Sequence, residues 1–195
     1  MGTNSLTELQ ALVINFFPSP IAINYQRAIT KGSWQDKARQ VVRVFEFTVR
    51  GLALVLISQY LLVDREKVSY GPLSALLREK LSKPTLGSWV EIIFTALAAY
   101  KDHRDLMFMP ELYDAYWDAK QQRPQKGIRE PFDKLVVIRN RLMHGLPPQD
   151  DAGWQALFEE SHELLLRVFE FLRFVRKYDL IFITGQDKTG YRYQI

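Results

Sequence analysis

An arginine and a histidine stand close together in the second half of the chain. In the segment 136–145, VVIRNRLMHG, Arg139 is followed directly by Asn140 and, five residues later, by His144. An imidazole can move protons near neutral pH, because its ordinary pKa is about 6.5. A guanidinium can hold two oxygens of one phosphate. One of these residue types can therefore move a proton, and the other can bind an anion such as a phosphate.

The same segment has a structural alternative, in which it simply ends a helix. Cations near a helix C-terminus interact favourably with the helix dipole, and Gly145 followed by Pro147 is an ordinary end signal. Asn140 is harder to explain in this way, since it is a poor helix former. It precedes His144 by four residues, so the two side chains share a helix face and can hydrogen-bond.

Apolar residues recur at helical spacing along most of the chain, and the sequence predicts four or five packed helices. Ser33 is the expected N-cap of the longest helix. Pro18 and Pro20 are expected to end a first apolar segment and to begin a connector. The predicted helical ranges are 33–62, 73–81, 88–100, 130–143 and 150–177, with one further short helix at 112–120.

The last residues change character from helical to extended. Residues 180–184 and 191–195 predict two strands around a turn, so the fold class is all-α with a short C-terminal β-hairpin. Residues 1–32 are expected to form an N-terminal extension that packs on the bundle, residues 33–178 the helical domain, and residues 179–195 the hairpin. A lone hairpin is marginal in water, so residues 179–195 are also compatible with the beginning of a further domain.

The segment 139–145, RNRLMHG, resembles the signature of the HEPN superfamily, in which an arginine, often followed by asparagine, precedes a histidine by a few residues. The order of the helices agrees with this resemblance, since the motif closes the penultimate helix and one long helix follows. The resemblance covers about residues 33–178. It implies a HEPN-like helical bundle and a homodimer whose two motifs face each other.

The resemblance also implies metal-independent cleavage of RNA, of a toxin or antiviral-defence type. In that chemistry the 2′-hydroxyl attacks the adjacent phosphate and leaves a 2′,3′-cyclic phosphate and a 5′-hydroxyl. His144 would move the protons, Arg139 would stabilise the charge on the phosphate, and Asn140 would orient His144 or the sugar. An additional domain or an antitoxin-like partner would fit such a protein.

The charge around the motif is basic, in a chain whose net charge is +4. Residues 120–144 hold seven Lys or Arg and two Asp or Glu, a local net charge of +5. Arg141, Arg129 and Lys134 are the candidates for contacts with RNA phosphates. The alternative is a solvated helix face with no ligand.

Glu46 lies within a pattern of charges on the first long helix. Arg43, Glu46 and Arg50 follow one another at spacings of three and four residues. The order of Glu46 and Arg50 is that of a helix-stabilising ion pair. The alternative, which the resemblance implies, is that Glu46 reaches the motif and orients Arg139.

Several classes of protein are excluded or disfavoured by composition. The chain has no cysteine, which excludes disulfides and thiol chemistry. Its three histidines lack metal-ligand spacing, so neither a metal nor another cofactor is expected. No segment reads as a membrane span or a signal peptide, so we expect a cytoplasmic protein with no membrane partner. A non-catalytic HEPN-like module for dimerisation or nucleotide sensing within a larger protein stays open as an alternative function, as does a helical interaction domain.

Overall fold

Eight α-helices make up most of the part of the chain that the computed structural model describes, which is residues 3–62, 68–118, 120–145, 147–179, 182–187 and 190–194. The helices are α1 (Thr3–Phe16), α2 (Ser19–Thr30), α3 (Trp34–Leu62), α4 (Gly71–Lys80), α5 (Leu86–Ala99), α6 (Pro110–Tyr116), α7 (Glu130–Met143) and α8 (Asp151–Phe171). Two short 3-10 helices, Arg104–Leu106 and Arg173–Lys177, follow α5 and α8.

The strands form two small antiparallel pairs. Strand β1 (Trp117–Asp118) pairs with β2 (Arg123–Pro124), and β3 (Phe182–Asp187) pairs with β4 (Gly190–Gln194). The predicted all-α class with a short C-terminal hairpin is therefore confirmed. Parts of the predicted hairpin, at residues 180, 181, 188, 189 and 195, lie outside the described residues.

Helix α3 is the centre of the packing, with α2, α5, α7 and α8 against it. The apolar residues on its inner side recur every three or four positions, and those with 1% exposure or less are Ala38, Val41, Val44, Phe45, Val49, Ala53 and Leu56. The main partner of α3 is α8, which contributes Leu165, Val168 and Phe169 to the same core. Helix α7 packs against both of these helices.

The predicted ends of α3 and α7 agree with the structure. The Ser33 hydroxyl accepts a hydrogen bond from the backbone N–H of Asp36 at 3.2 Å, and the Asp36 carboxylate accepts one from the backbone N–H of Ser33 at 3.2 Å. This reciprocal capping satisfies two donors at the start of α3. Helix α7 ends at Met143, and Gly145 follows with φ +80°, a backbone conformation that glycine adopts without strain.

The expected connector after Pro18 is wrong, because the chain forms α2 there. Pro18 is the N-cap of α2 and Pro20 lies in its first turn, where a proline costs no helical hydrogen bond. Helices α1 and α2 then supply buried residues to the common core, among them Leu9, Val13, Tyr25 and Ala28, and Phe17 between the two helices joins them. The prolines separate two helices instead of ending helical structure, which is one reason why the described chain has eight helices and not four or five.

Two predicted helices are also shorter than expected. Helix α6 ends at Tyr116, because the Asp118 carboxylate accepts the backbone N–H groups of Lys120 and Gln121 at 2.9 and 3.0 Å and so stabilises a turn. Helix α8 ends at Phe171, and the range that was expected to continue it to residue 177 forms a 3-10 helix after Leu172. Neither difference moves α7 or the motif.

A buried tyrosine and a histidine join α2 to α8. The Tyr25 hydroxyl lies 2.8 Å from Nε2 of His162, and the His162 ring stacks on Phe158 with 5.3 Å between ring centroids. Burial lowers the pKa of His162 below its ordinary value of 6.5 and raises that of Tyr25. The contact between α2 and α8 therefore favours a neutral imidazole.

We expect the stability of the protein to fall as the pH drops below about 6.5. The pKa of His162 is lower in the folded state than in the unfolded state, so the contribution of His162 is fully present above about pH 6.5. It is lost as the pH falls towards the folded-state pKa, since the unfolded chain takes up the proton first. Urea unfolding at about pH 7.5 and about pH 5.5 measures the loss.

The control for this prediction is His162→Gln, which keeps a hydrogen-bonding group for Tyr25 but does not titrate in this range. The variant is expected to lose less stability than the wild type between the two pH values. Parallel losses in both proteins would show that other groups cause the pH dependence.

Candidate active site

Helix α7 presents the motif, which is Arg139, Asn140 and His144, because its apolar side is fixed against the core. The buried residues of α7 recur at helical spacing and are Pro131, Phe132, Leu135 and Ile138. The opposite side is exposed and carries Lys134, Val137, Asn140, Arg141 and His144. The rotation of the helix thus leaves Asn140 and His144 on the surface.

Arg139 is held by a carboxylate from the central helix. Its Nε donates to Oε1 of Glu46 at 2.8 Å, and the two side chains are 30% and 29% exposed. The alternative contact of the sequence analysis, between Glu46 and Arg139, is therefore present in the structure. Glu46 is partly buried on α3, so its pairing ties the end of α7 to the centre of the fold.

Asn140 supports the same guanidinium from the other side. Its side-chain oxygen accepts a hydrogen bond from Nη1 of Arg139 at 3.2 Å. A guanidinium has five N–H groups. Two of them donate to Glu46 and Asn140, and no other acceptor in the described part of the chain takes the remaining three. Arg139 is thus oriented and still able to bind an anion.

His144 lies at the end of α7 with an exposed ring. Its backbone N–H donates to the carbonyl oxygen of Asn140 at 3.0 Å, as in the last turn of a helix. The side chain of Asn140 contacts Arg139, whereas the sequence suggested a hydrogen bond with His144. Because five residues of helix correspond to roughly 140° of rotation, Arg139 and His144 leave α7 on different sides, with Asn140 between them.

Two of the predicted phosphate contacts are engaged within the chain. Lys134 pairs with Glu130 at 2.7 Å, and Arg129 pairs with Asp133 at 3.3 Å. Hydrogen bonds from Lys134 and Arg167 lower the pKa of Glu130 to about 2. These are solvent-exposed pairs, which are weak and can exchange for a ligand, but they agree with the alternative of a solvated helix face.

The basic residues differ in their distance from the motif. Lys134 and Arg141 are seven residues apart and lie on the same exposed side of α7 as His144. Arg129 precedes Arg139 by ten residues, which is about 15 Å along the helix axis. The structure therefore brings Glu46, Arg139 and Asn140 together, leaves Lys134 and Arg141 on the face of His144, and places Arg129 at the far end of α7.

Sequence reasoning missed a polar cavity between α2 and α3, which we call the α2–α3 cavity. Its volume is about 410 Å³, and it is lined by Asn24, Arg27, Gln40, Arg43, Val44 and Phe47. The four lining residues from α3 follow one another at helical spacing, and this spacing is the signal that the sequence offered. The sequence analysis considered Arg43 only as part of a charge pattern with Glu46. The pairing of this face with α2 could not be read from the sequence, because α2 itself was expected to be a connector.

The described part of the chain contains neither a metal-ligand cluster nor a membrane-spanning helix. Among the described residues, no group of three or more His, Asp or Glu side chains is arranged to hold a metal ion. No helix within the described ranges is both long and apolar enough to cross a membrane.

Comparison with known proteins leaves the site to be interpreted from its own geometry. No family model, curated protein or solved structure matches the chain. The resemblance of residues 139–145 to the HEPN signature therefore stays a prediction, and the arrangement of Glu46, Arg139, Asn140 and His144 carries the functional argument.

We expect Glu46→Gln to reduce the free energy of unfolding by about 1 to 2 kcal/mol, because it leaves a partly buried guanidinium without its anionic partner. Urea unfolding of Glu46→Gln, Arg139→Gln and the double variant measures the coupling between the two side chains, expected at about 1 kcal/mol.

The matched control is Glu79→Gln, which breaks an exposed pair with the adjacent Lys80. This variant is expected to leave stability almost unchanged. If the losses of stability in Glu46→Gln and Arg139→Gln simply added up in the double variant, the observed pair would contribute nothing to the fold.

Proposed function

We propose that the protein is a metal-independent endoribonuclease of HEPN type. The observation that carries the proposal is the Arg139 guanidinium, which Glu46 and Asn140 orient, on the same helix end as the exposed His144. Three of its N–H groups have no acceptor among the residues that the structure describes. A preoriented guanidinium can stabilise the charge that develops on a phosphate, and an exposed imidazole can reach the ribose of a bound strand.

The proposed reaction uses the nucleophile that RNA itself carries. The 2′-hydroxyl oxygen attacks the adjacent phosphorus in line, and its proton passes to an imidazole of His144. The bond from phosphorus to the 5′-oxygen breaks, and the leaving oxygen takes a proton from an imidazole. The products are a 2′,3′-cyclic phosphate and a 5′-hydroxyl. DNA lacks the 2′-hydroxyl and would not be cleaved.

A homodimer with the motif at its interface forms part of the proposal. Val137 and Met143 are 65% and 66% exposed on α7, beside the motif. Large exposed apolar side chains next to a candidate site are a feature of interaction surfaces. Since Arg139 and His144 leave α7 on different sides, a second copy would supply the facing imidazole and guanidinium around one phosphate.

The second candidate function is a non-catalytic module that dimerises or senses a nucleotide for a larger protein. The ion pair of Arg139 with Glu46 favours it, because such a pair can also serve only to hold α7 on α3. A toxin or antiviral-defence role, an antitoxin-like partner and a cytoplasmic location stay predictions from the sequence and its resemblance.

We expect the purified protein to cleave single-stranded RNA in EDTA, and His144→Ala and Arg139→Ala to lower the rate by about 10²- to 10⁴-fold each. Cleavage is measured with end-labelled RNA, and the 2′,3′-cyclic phosphate is identified by its resistance to phosphatase before acid treatment. Arg176→Ala changes an exposed arginine outside the site and is the matched control. Equal decay of RNA with the wild type and both motif variants would mean contamination and would remove the nuclease proposal.

We expect Val137→Glu to convert the dimer into a monomer, because it places charges on the apolar patch beside the motif. Light scattering gives the mass, and the cleavage assay gives the activity, which is expected to fall with the dimer. Phe16→Glu, at an equally exposed apolar residue on α1, is the control and should leave the mass unchanged. A monomeric wild type would contradict the dimer.

A further inference from the structure

The α2–α3 cavity combines cationic, amide and aromatic groups and has no acidic residue in its lining. Its six residues are Asn24, Arg27, Gln40, Arg43, Val44 and Phe47. Neither Arg27 nor Arg43 forms an ion pair with any residue that the structure describes. This distinguishes them from Arg129 and Lys134, which already have acidic partners.

The spacing of the lining residues along α2 and α3 brings their side chains to one place. On α3, Gln40, Arg43 and Phe47 follow one another at three and four residues, so they share a face. Asn24 and Arg27 are three residues apart on α2, which packs directly against α3. The cavity is therefore built on two helices of the core, a rigid support for a binding site.

The chemistry of the lining fits a nucleotide with an unpaired base. Two guanidiniums that have no ion-pair partner in the described part of the chain can bind phosphate oxygens. The Phe47 ring is 45% exposed and can stack on a base, as aromatic side chains do in proteins that bind single strands. Nδ2 of Asn24 already donates to the carbonyl oxygen of Pro20 at 2.6 Å, which leaves its side-chain oxygen to accept from a base edge.

One lining residue, Arg43, lies one helical turn from Glu46, the residue that pairs with Arg139 of the motif. Arg43 precedes Glu46 by three residues on α3, which places their Cβ atoms about 5 to 6 Å apart. The Glu46 carboxylate in turn holds Nε of Arg139 at 2.8 Å. A strand whose phosphate reaches Arg139 can therefore continue along α3 towards Arg43 and Phe47.

We propose that the α2–α3 cavity binds a nucleotide of single-stranded RNA that flanks the linkage cleaved at Arg139 and His144, an inference that rests on the proposed function. Arg27 and Arg43 hold the phosphates of this nucleotide, and Phe47 stacks on its base. The cavity contacts no reacting atom, so its interactions are the same in the ground state and the transition state. They lower KM and set which strand enters the site.

The first test measures binding without cleavage. A fluorescein-labelled RNA with 2′-O-methyl groups has no nucleophile, and its Kd is obtained from fluorescence anisotropy. Arg27→Ala and Arg43→Ala are each expected to raise the Kd about tenfold. Phe47→Leu, which keeps an apolar side chain, is expected to raise it about fivefold. The slope of log Kd against log salt should decrease by about 0.7 for each arginine removed.

The matched controls remove arginines elsewhere. Arg78→Ala on α4 and Arg176→Ala after α8 are exposed residues outside the cavity, and both are expected to bind like the wild type. Arg43→Lys keeps the charge and should retain the salt slope while losing part of the affinity. Circular dichroism melts of all variants confirm that the fold is kept.

The second test measures cleavage of ordinary RNA in EDTA. Variants of Arg27 and Arg43 are expected to raise KM about tenfold, with much less effect on kcat, because they remove uniform binding. Motif variants lower kcat instead. An effect on KM alone identifies a flanking nucleotide site, whereas an effect on kcat identifies a residue that takes part in the reaction.

The outcomes separate this inference from the proposed function. Unchanged Kd, KM and salt slope in the Arg27 and Arg43 variants, with cleavage lost in His144→Ala, would overturn the cavity proposal and support the nuclease. Binding that depends on Arg27 and Arg43 without any cleavage by the wild type would overturn the nuclease and support the cavity as an RNA site. If Phe47→Leu lost affinity equally for duplex and for single-stranded RNA, the assignment of a stacked base would be overturned.

Discussion

The ion pair between Arg139 and Glu46 links the candidate site to the core of the fold. Glu46 belongs to α3, whose neighbouring Phe45 and Val49 are completely buried, so the core fixes the backbone that carries the carboxylate. Arg139 belongs to the last turns of α7, 93 residues away in the sequence. Because a partly buried charge is costly without a partner, each residue fixes the orientation of the other. The apolar side of α7, packed on the core, leaves Asn140 and His144 exposed, and the ion pair adds a polar contact at the same end of the helix.

The same pair has opposite effects on affinity for an anion. The Glu46 carboxylate offsets part of the positive charge of Arg139, which weakens the attraction to a phosphate. It also prevents the long side chain from sampling other rotamers, so a bound phosphate meets donors that are already in place. Arg27 on α2 and Arg43 on α3, which have no acidic partner among the described residues, line the neighbouring cavity and can restore attraction for a polyanionic strand.

Local signals explain why much of the helical structure could be predicted. The cap at Ser33, the apolar stripe of α7 and the stop at Gly145 each depend on residues within one or two turns. The predictions that were wrong concern local signals that are compatible with two different structures. A proline can end a helix or occupy the first turn of the next one, and Pro18 and Pro20 do the latter. The residues after Tyr116 also carry a helical pattern, but the Asp118 carboxylate stabilises a turn there.

The sequence by itself determined the bounds of α7, the exposed side of that helix and the presence of Arg139, Asn140 and His144 at its end. These properties depend on spacing along one helix, which the chain specifies at short range. Only the tertiary structure decided that Glu46 pairs with Arg139 and not with Arg50, that Asn140 contacts Arg139, and that α2 and α3 together line a cavity at the exposed Arg43. Each of these contacts depends on the distance between side chains of different turns or helices, and the packing of the apolar core sets that distance.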